Sequence, residues 1–367
     1  MTHLCVVVTA RPSYSRIRSV LLALAQRPDV RLTVIAAASA LLERYGRVVE
    51  FMRADGLDPL EVLSVVEGET GQAAAAGTGL LTLELAQVFA QLRPDRVVTI
   101  ADRHETLATA IAAAYQQIPL VHVQGGETTG SIDDKVRWAV TMLADVHLAA
   151  TAQAGCRLAA ARPGGRVMVT GCPSIDLARE ALTLPPVGRL ETGAGLTPVD
   201  LRGAVVVLQH AVTDEADDAL AQMALTLETL RPVKAPLIVF WPGQDAGAGG
   251  VSKAIRLFRE TYPQRTVHTQ RNLPPLTFLR MLLEVSCLVG NSSVGLRECS
   301  YLGVPVVNIG TRQRGRERAE NVTDVDHDGA AIRQAVDKQR DRGPYPSSPL
   351  YGDGHATDRM VEVLCQS

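Results

Sequence analysis

The stretch that decides the fold is residues 96–123, RVVTIADRHETLATAIAAAYQQIPLVHV. A short β-branched run (96–100) is followed by a polar turn, an Ala-rich segment (107–115) and a second β-branched run (120–123). Short apolar strands that alternate with longer helical segments are typical of βαβ units, in which parallel strands are buried on both faces. This stretch therefore predicts a parallel sheet flanked by helices.

The same alternation extends along the whole chain. We predict strands over 4–8, 31–35, 96–100, 120–123, 147–150 and 166–169 and, after a break that follows Asp176, over 204–208, 236–240, 265–268, 286–289 and 305–309. A chain of 367 residues exceeds one typical domain. The sequence therefore predicts an α/β protein with two doubly wound parallel-sheet domains (residues 1–180 and 181–350) and a C-terminal helix, within 351–367, that packs back on the first domain.

The composition argues against several classes of function. Lys and Arg (37) nearly balance Asp and Glu (39), so no excess of positive charge indicates nucleic acid binding. No uninterrupted apolar stretch approaches the roughly 18 residues that span a membrane, and the N-terminus lacks a signal-peptide pattern. The six cysteines are scattered without a C-x-x-C pair, which argues against a zinc site or a disulfide framework. We expect a cytoplasmic protein with no nucleic acid or membrane partner.

Acidic residues gather at the predicted carboxyl ends of two strands, where ligands of open α/β sheets bind. Asp102 follows the strand over 96–100, and Glu127, Asp133 and Asp134 follow the strand over 120–123. Crowded carboxylates shift one another's pKa values, which favours general acid–base chemistry. Two alternatives stay open: Asp102 caps a helix, or the carboxylates hold a Mg²⁺ ion.

Two further strand ends carry polar residues. Arg11, Ser13 and Ser15 lie where a helix begins after the first strand, which predicts an anion cradle; helix capping by Ser13 is the alternative. His210 follows the strand over 204–208. A single histidine at a strand end is more often structural than functional.

Residues 290–298, GNSSVGLRE, carry the strongest local signal for phosphate. They follow an apolar strand and open a helix, so that Ser292, Ser293 and backbone N–H groups can bind anionic oxygens, while Glu298 can accept hydrogen bonds from ribose hydroxyls. A plain helix cap is the alternative. Residues 312–318 hold four arginines, which form either an anion clamp or a solvated basic loop.

Together these motifs resemble the UDP-N-acetylglucosamine 2-epimerase family, and in particular its hydrolysing branch, found in sialic acid, legionaminic acid and related nonulosonic acid pathways. The resemblance rests on residues 11–15, 102–103, 122–134, 171–176, 245–247, 290–298 and 310–322, which occur in this order along the chain. Non-hydrolysing relatives typically carry a Ser-Gly-Gly-x-Gln-Glu-type signature where this chain has residues 292–298. The resemblance implies two Rossmann-like domains facing a cleft, in the glycosyltransferase-B arrangement.

The resemblance also implies a reaction and the residues that perform it. The C2 proton of a UDP-2-acetamido sugar is removed, UDP is expelled to leave a glycal, and water adds at C1, with no metal or nicotinamide cofactor required. The implied catalytic residues are Asp102, Asp133, Glu127, Gln124 and His210. The implied substrate-binding residues are Arg11, Ser15, Ser292 and Ser293 for the diphosphate, Glu298 for the ribose, Arg312 for UDP, Leu273 beside the uracil, Asp176 for the sugar, and Arg103, Asp245 and Asn291. A homo-oligomer, dimer or tetramer, is implied as well.

Two positions depart from the family pattern. Gln124 stands where many members place a catalytic glutamate, and an amide cannot exchange a proton at neutral pH, so that role passes to Asp133, Glu127 or water, or the substrate differs. Gly243 stands where Asn is expected ahead of Asp245. The substrate is therefore open between UDP-N-acetylglucosamine, a 2,4-diacetamido-trideoxy analogue and another nucleotide. The alternative functions are a glycosyltransferase on the same fold, a nucleotide-sugar hydrolase without epimerisation, and a non-catalytic nucleotide-sugar binding protein.

Overall fold

The structure, a computed structural model, describes residues 1–66, 68, 70–130, 132–162, 164–195, 198–243 and 245–366. Ser131, inside the motif of residues 122–134, lies outside the described residues. The chain divides into two compact units. We call residues 1–128, 132–176 and 351–367 the first unit, and residues 129–131 and 177–350 the second unit.

The first unit is built on a parallel sheet. Its strands are β1 (Thr2–Val8), β2 (Val30–Ala37), β3 (Leu60–Val62), β4 (Arg96–Ile100), β5 (Leu120–Val123), β6 (Val146–Ala149) and β7 (Arg166–Val169). Its helices are α1 (Arg11–Ala25), α2 (Val48–Ala54), α3 (Gly71–Leu92), α4 (His104–Tyr115), α5 (Ile132–Leu143) and α6 (Ala152–Ala161), while α7 (Pro173–Leu182) runs on into the second unit. The strand order is β3-β2-β1-β4-β5-β6-β7. Because the order reverses between β1 and β4, ligands are expected at the carboxyl ends of these two strands.

The second unit repeats this plan. Its strands are β8 (Arg189–Leu190), β9 (Ala194–Gly195), β10 (Val199–Asp200), β11 (Val205–Leu208), β12 (Leu237–Phe240), β13 (Val267–Gln270), β14 (Cys287–Gly290), β15 (Val306–Ile309) and β16 (Val322–Val325). Its helices are α8 (Ala219–Leu230), α9 (Ala248–Thr261), α10 (Pro275–Leu282), α11 (Ser293–Leu296), α12 (Glu298–Leu302) and α13 (Gly329–Arg342). The main sheet has the order β16-β15-β14-β11-β12-β13-β9, with β9 antiparallel to β13, and its order reverses between β11 and β14.

The predicted α/β class with two doubly wound parallel sheets is confirmed, and each predicted strand forms within one or two residues of its predicted bounds. Strands β3 and β16 and the two-residue strands β8 to β10 were not predicted. Central strands such as β11 and β14 are buried along their whole length, so they form continuous apolar runs. The missed strands β3 and β16 lie at sheet edges and carry exposed polar residues, which hides them in the sequence.

The chain ends in the first unit. Helix α14 (Ala356–Cys365) packs against α1, and its side chains Met360, Val363 and Leu364 are buried in the same core cluster as β1. Its amphipathic pattern matches this position, because the apolar side chains recur at helical spacing. The last 17 residues of the chain thus belong to the first unit, which also contains the N-terminus.

Helix α3 differs from the other long helices in composition. It has 22 residues, and it is long and apolar enough to cross a membrane by length and composition alone. One face, with Leu81, Leu85 and Phe89, is buried in the core of the first unit. The other face is largely exposed, and the side chain of Leu83 is 57% exposed.

Candidate active site

In the first unit, the turn after β4 presents Asp102. Ala101 has a φ of 67°, in the left-handed region that alanine rarely adopts. Its carbonyl oxygen accepts a hydrogen bond from His122 Nε2 at 2.8 Å, and the hydroxyl of Thr141 lies 3.2 Å from His122 Nδ1. Burial lowers the pKa of His122 to about 4, so its ring is neutral near pH 7 and donates from Nε2. This bonding holds the turn that carries Asp102.

Arg137 in α5, to which the sequence analysis assigned no role, binds Asp102. Its side chain is only 1% exposed. The guanidinium donates to Asp102 Oδ2, to Asp134 Oδ1 and, at 2.7 Å, to the backbone carbonyl of Glu127. Burial acts to lower the pKa of Arg137, but the neighbouring Asp102, Glu127 and Asp134 carboxylates raise it overall. We call these four residues the Arg137 cluster.

Gln124 at the end of β5 is a fixed neutral group. It is buried, has a φ of 65°, and its Nε2 donates to Cys172 Sγ at 2.6 Å. The two glycines that follow are required by close approaches: a Cβ on Gly125 would lie 2.9 Å from His122 Nδ1, and one on Gly126 would lie 2.4 Å from the Ala154 carbonyl oxygen. Non-glycine residues in left-handed backbone after both β4 and β5 are the kind of strain that clusters at functional sites.

Arg103 and Asp133 lie beside the Arg137 cluster in the sequence. The guanidinium of Arg103 donates from two nitrogens to the Glu105 carboxylate, each at 3.1 Å. Burial acts to raise the pKa of Glu105, but the Arg103 charge holds it below its ordinary value. Asp133 is half-buried in the first turn of α5. If Arg103 binds substrate as predicted, it does so with a guanidinium that already donates to the Glu105 carboxylate.

The start of α1 differs from the capping alternative. Ala10 is the N-cap residue and no side chain caps the helix, so capping by Ser13 is wrong. Arg11 is half-buried at the first helical position, and burial lowers the pKa of its guanidinium. Ser15 Oγ donates to the Arg11 carbonyl oxygen at 3.2 Å. The N–H groups of an uncapped helix start need partners from outside the helix.

Asp176 has a structural use that the sequence analysis did not foresee. Its Oδ1 accepts a hydrogen bond from the Ala356 N–H at 3.0 Å, and its Oδ2 accepts one from the Thr357 N–H at 2.6 Å. Asp176 therefore caps the N-terminus of α14, where a carboxylate also meets the positive end of the helix dipole.

In the second unit, Asn291 joins the carboxyl ends of β11 and β14, where the strand order reverses. Its side-chain Oδ1 accepts from the His210 N–H at 2.7 Å, and its Nδ2 donates to the His210 carbonyl at 2.8 Å. Its own carbonyl accepts from Arg312 Nη1 at 3.3 Å and from Gln313 Nε2 at 2.8 Å. We call Asn291, His210 and Arg312 the Asn291 bridge. Asn291 is buried, and its hydrogen bonds hold the His210 backbone and the Arg312 guanidinium at the ends of these two strands.

Next to the Asn291 bridge, His210 faces Asp245, with 3.9 Å between Nδ1 and Oδ2. Ser292 Oγ accepts from the Val294 N–H at 3.5 Å, as the N-cap of α11. A helix opens here as predicted, but it is interrupted: α11 has four residues, and Arg297, whose φ and ψ are −98° and −77°, separates it from α12. So short a helix has a weak dipole, which leaves anion recognition to side chains.

Glu298 and Leu273 are both buried. Glu298 Oε2 has no hydrogen-bond partner among the described residues. A buried carboxylate oxygen in this state can accept a hydroxyl hydrogen bond at little desolvation cost. Leu273 packs in an apolar core cluster of the second unit, so only a small part of its side chain is exposed to contact the predicted uracil ring.

The four arginines of residues 312–318 separate into different roles. Arg312 is part of the Asn291 bridge, and Arg314 is exposed. Arg316 is buried and donates to Gln313 Oε1 at 2.8 Å, and Arg318 forms an ion pair with Asp324 at 2.7 Å. The anion-clamp hypothesis therefore narrows to Arg312.

The Mg²⁺ alternative does not fit this arrangement. Within the described ranges, no group of three or more His, Cys, Asp or Glu side chains is placed to hold a metal ion. At the predicted position, the Arg137 guanidinium binds the Asp102 and Asp134 carboxylates and supplies the positive charge that a metal ion would bring.

A cavity of about 680 Å³ in the second unit lies at the amino end of β13. Its lining includes Arg256, Arg259, Tyr262 and Arg265, and none of the predicted site residues. Since the site residues follow the carboxyl ends of strands, this cavity is separate from the candidate site.

Comparison with known proteins identifies the family of this chain. The sequence profile of the family described as UDP-N-acetylglucosamine 2-epimerase matches residues 22–365. The UDP-N,N'-diacetylbacillosamine 2-epimerase (hydrolyzing) of Legionella pneumophila is 29% identical over 98% of this chain and 94% of its own. The UDP-N-acetylglucosamine 2-epimerase of Neisseria meningitidis is 25% identical over 98% and 94%.

A solved structure has the same fold over the full length of both chains. The crystal structure of UDP-GlcNAc 2-epimerase from Neisseria meningitidis bound to UDP-GlcNAc covers 100% of each chain with a TM-score of 0.80, at 18% identity. The resemblance drawn from the motifs is confirmed by these matches. The chain belongs to the UDP-N-acetylglucosamine 2-epimerase family.

Proposed function

We propose that this protein is a hydrolysing 2-epimerase of a UDP-activated 2-acetamido sugar. The observation that carries the proposal is the similarity over 98% of the chain to an enzyme named as a hydrolysing UDP-N,N'-diacetylbacillosamine 2-epimerase. The substrate is UDP-N-acetylglucosamine or a 2,4-diacetamido-trideoxy analogue, and the products are UDP and the free sugar of inverted configuration at C2.

The second unit binds the nucleotide in this proposal. Arg312, Ser292 and Ser293 contact the diphosphate, and the buried Glu298 Oε2, which has no hydrogen-bond partner among the described residues, accepts hydrogen bonds from the ribose hydroxyls. His210 meets a phosphate or the glycosidic oxygen. Guanidinium and hydroxyl groups are suited to phosphate oxygens because they donate several hydrogen bonds in a fixed geometry.

The first unit carries the proton chemistry. Asp102 takes the C2 proton, the C1–O bond breaks, and its electron pair leaves with UDP, so that a C1–C2 double bond remains. Asp133, in its acid form, then gives a proton to the opposite face of C2, while water adds hydroxide to C1 and passes its remaining proton to Asp133. Asp102 releases the C2 proton to solvent. One water is consumed in each turnover. Gln124 cannot serve as the acid or the base, since it is an amide and its Nε2 is bound to Cys172.

The test is an incubation of the full chain in D₂O with UDP-N-acetylglucosamine and, in parallel, with UDP-N,N'-diacetylbacillosamine, followed by NMR. We expect UDP and a C2-deuterated free 2-epimer from at least one of them. UDP with unepimerised, undeuterated sugar would instead indicate a hydrolase without epimerisation. Turnover only with an acceptor and with the C2 proton retained would indicate a glycosyltransferase, and binding without turnover a nucleotide-sugar binding protein.

We also propose that the chain forms a homo-oligomer through the exposed face of α3. Glu84 is the only charged residue of this helix, and the exposed face carries Leu83 among alanines, glycines and uncharged glutamines. Exposed apolar faces of this kind are covered by partners, and a second copy of the chain offers the same face in a twofold contact. In light scattering after size exclusion, Leu83→Arg should halve the mass of the particle. Leu257→Arg, at an exposed leucine of α9 in the second unit, is the control for the added charge and should leave the mass unchanged. Detergent-dependent solubility of the wild type would contradict this and indicate a membrane.

We further propose a cytoplasmic enzyme that supplies a free 2-acetamido sugar to nonulosonic acid synthesis. All six cysteines lie among the described residues and none is in a disulfide, which is consistent with a reducing compartment. Cell fractionation with an antibody to the chain tests the location.

A further inference from the structure

Arg137 connects three elements of the first unit at one point. It projects from α5, and its guanidinium reaches Asp102 after β4, Asp134 in its own helix and the Glu127 carbonyl after β5. The side chain is almost fully buried, so these bonds are protected from water. A planar guanidinium that binds three fixed acceptors cannot rotate without breaking at least two of the bonds.

A buried charge pair of this kind is a poor way to increase stability. Burying a guanidinium and carboxylates removes them from water, and well-packed apolar residues often stabilise a protein equally well. Its position at the carboxyl end of β4, beside the strained Ala101, indicates a use in the reaction instead. Positioned groups lower a barrier when their orientation is set before the substrate arrives.

We propose that Arg137 is a positioning residue that holds the Asp102 carboxylate ionised and correctly oriented to take the C2 proton, without touching the substrate itself. This inference rests on the proposed function. It adds a residue that neither the motifs nor the family resemblance singled out.

The surroundings make Arg137 the cation that governs Asp102. Arg103, the positively charged residue that directly follows Asp102 in the sequence, is bound to Glu105. His122 is neutral near pH 7, because burial lowers its pKa to about 4. The other titratable groups near these contacts are His104, Glu105, His122, Glu127, Asp133, Asp134 and Lys135, of which Lys135 is exposed. The carboxylates among them disfavour a second negative charge, and Arg137 opposes that effect.

The first test compares Arg137→Met, Arg137→Lys and, as a matched control, Arg162→Met, an arginine of the same unit that donates to the Ala144 carbonyl. We expect Arg137→Met to lower kcat roughly 100-fold and to change KM less than threefold, since UDP binds through the second unit. Arg137→Lys keeps the charge but not the planar, multiply donating guanidinium, and we expect kcat to fall about tenfold. Arg162→Met should leave kcat unchanged.

The pH profile separates positioning from simple loss of structure. A base works only when ionised, and removing the nearby cation makes ionisation of Asp102 harder, so the acid limb of kcat should move to higher pH by roughly one unit or more in Arg137→Met. Added guanidinium ions should restore part of the activity of Arg137→Ala. A merely structural residue would lower the fraction of folded enzyme but leave the acid limb where it is.

A carboxyl NMR titration provides a readout that does not need turnover. With ¹³C-labelled aspartate, and Asp102→Asn to assign the signal, Asp102 should titrate at higher pH in Arg137→Met, or in Arg137→Lys if the first variant does not fold. An unchanged titration, or a wild-type acid limb in Arg137→Met, would overturn the inference. Absence of C2 exchange in the wild type would refute the proposed function instead, while the titration would still test Arg137.

Discussion

The carboxyl ends of the two sheets share one topology but differ in charge. In the first unit the Arg137 cluster ties carboxylates to a buried cation, whereas in the second unit the Asn291 bridge uses a neutral amide to tie two backbones together. The amide bonds only the backbone of His210, whereas the guanidinium of Arg137 binds the carboxylates of Asp102 and Asp134 directly. In the proposed function, the same strand order serves proton transfer in one unit and anion binding in the other, since the fold sets the position of the site and the side chains set its chemistry.

The largest expected effect comes from Asp133→Asn, which removes the proposed proton donor and changes the first unit only. We expect turnover to fall roughly 10³-fold while the Kd for UDP stays within twofold. A continuous UDP-release assay and calorimetry measure the two quantities. Lys135→Gln, an exposed neighbour in the same turn of α5, is the control. Equal loss of turnover and UDP binding would contradict the assigned role.

The second prediction concerns acid stability and two buried histidines of the first unit. Burial lowers the pKa values of His122 and His147, both in the first unit, to about 4. Between pH 6.5 and 4 the unfolded chain therefore binds more protons than the folded one, and stability is lost as pH falls through this range. At pH 5 each histidine should cost about 2 kcal/mol relative to pH 7.5.

Replacing His147 tests this directly, since neither ring nitrogen has a hydrogen-bond partner in the described part of the chain. The free energy of unfolding in urea should fall less between pH 7.5 and pH 5 in His147→Leu than in the wild type, by about 2 kcal/mol. His355→Leu, whose ring is exposed, should show the wild-type difference. The same loss in all three proteins would refute burial as the cause.

A change confined to the second unit should have the opposite signature from Asp133→Asn. Arg312→Ala removes a guanidinium at the Asn291 bridge, and we expect UDP binding to weaken about 20-fold, the range of one charged hydrogen-bonding group. At saturating substrate, kcat should change little. Arg314→Ala, an exposed arginine two residues away, should keep the wild-type Kd in calorimetry. An equal effect of both variants would mean that the basic loop acts only through its total charge.

The smallest effect is expected for Asp176→Ala, which removes the cap of α14. The free energy of unfolding should fall by about 1 kcal/mol, because two N–H groups of the helix start lose their acceptor. Asp358→Ala, in the same first turn with a side chain 82% exposed, is the control. Unchanged stability with a raised KM would favour the sugar-contacting role that the family resemblance implies.

The strands that carry the site were predictable, because each is an apolar run ended by polar residues. The strand over 96–100 and the acidic residue Asp102 after it follow from that pattern alone. The edge strands β3 and β16 were not predictable, since their exposed residues interrupt the apolar pattern. Asn291 and His210 were each identified as strand-end residues, but their mutual hydrogen bonds join segments about 80 residues apart, which no local pattern reveals.

Arg137 shows the same limit more sharply. It lies one helical turn after Asp134, a spacing that is ordinary for a solvent-exposed ion pair, so its burial and its contact with Asp102 do not follow from the sequence. Asp176 was expected to meet a sugar, yet its carboxylate caps a helix 180 residues further along the chain. In both cases the partner is far away in the sequence.

By itself, the sequence determined the α/β class, the two parallel sheets, the strand ends where polar residues gather and the family, because these depend on local patterns of apolar and polar residues. Tertiary structure decided which of those residues are tied to one another: Asp102 to Arg137, Asn291 to His210 and Arg312, Asp176 to α14. Hydrogen bonds and ion pairs form between atoms a few ångströms apart, and only the folded chain brings distant segments within that range.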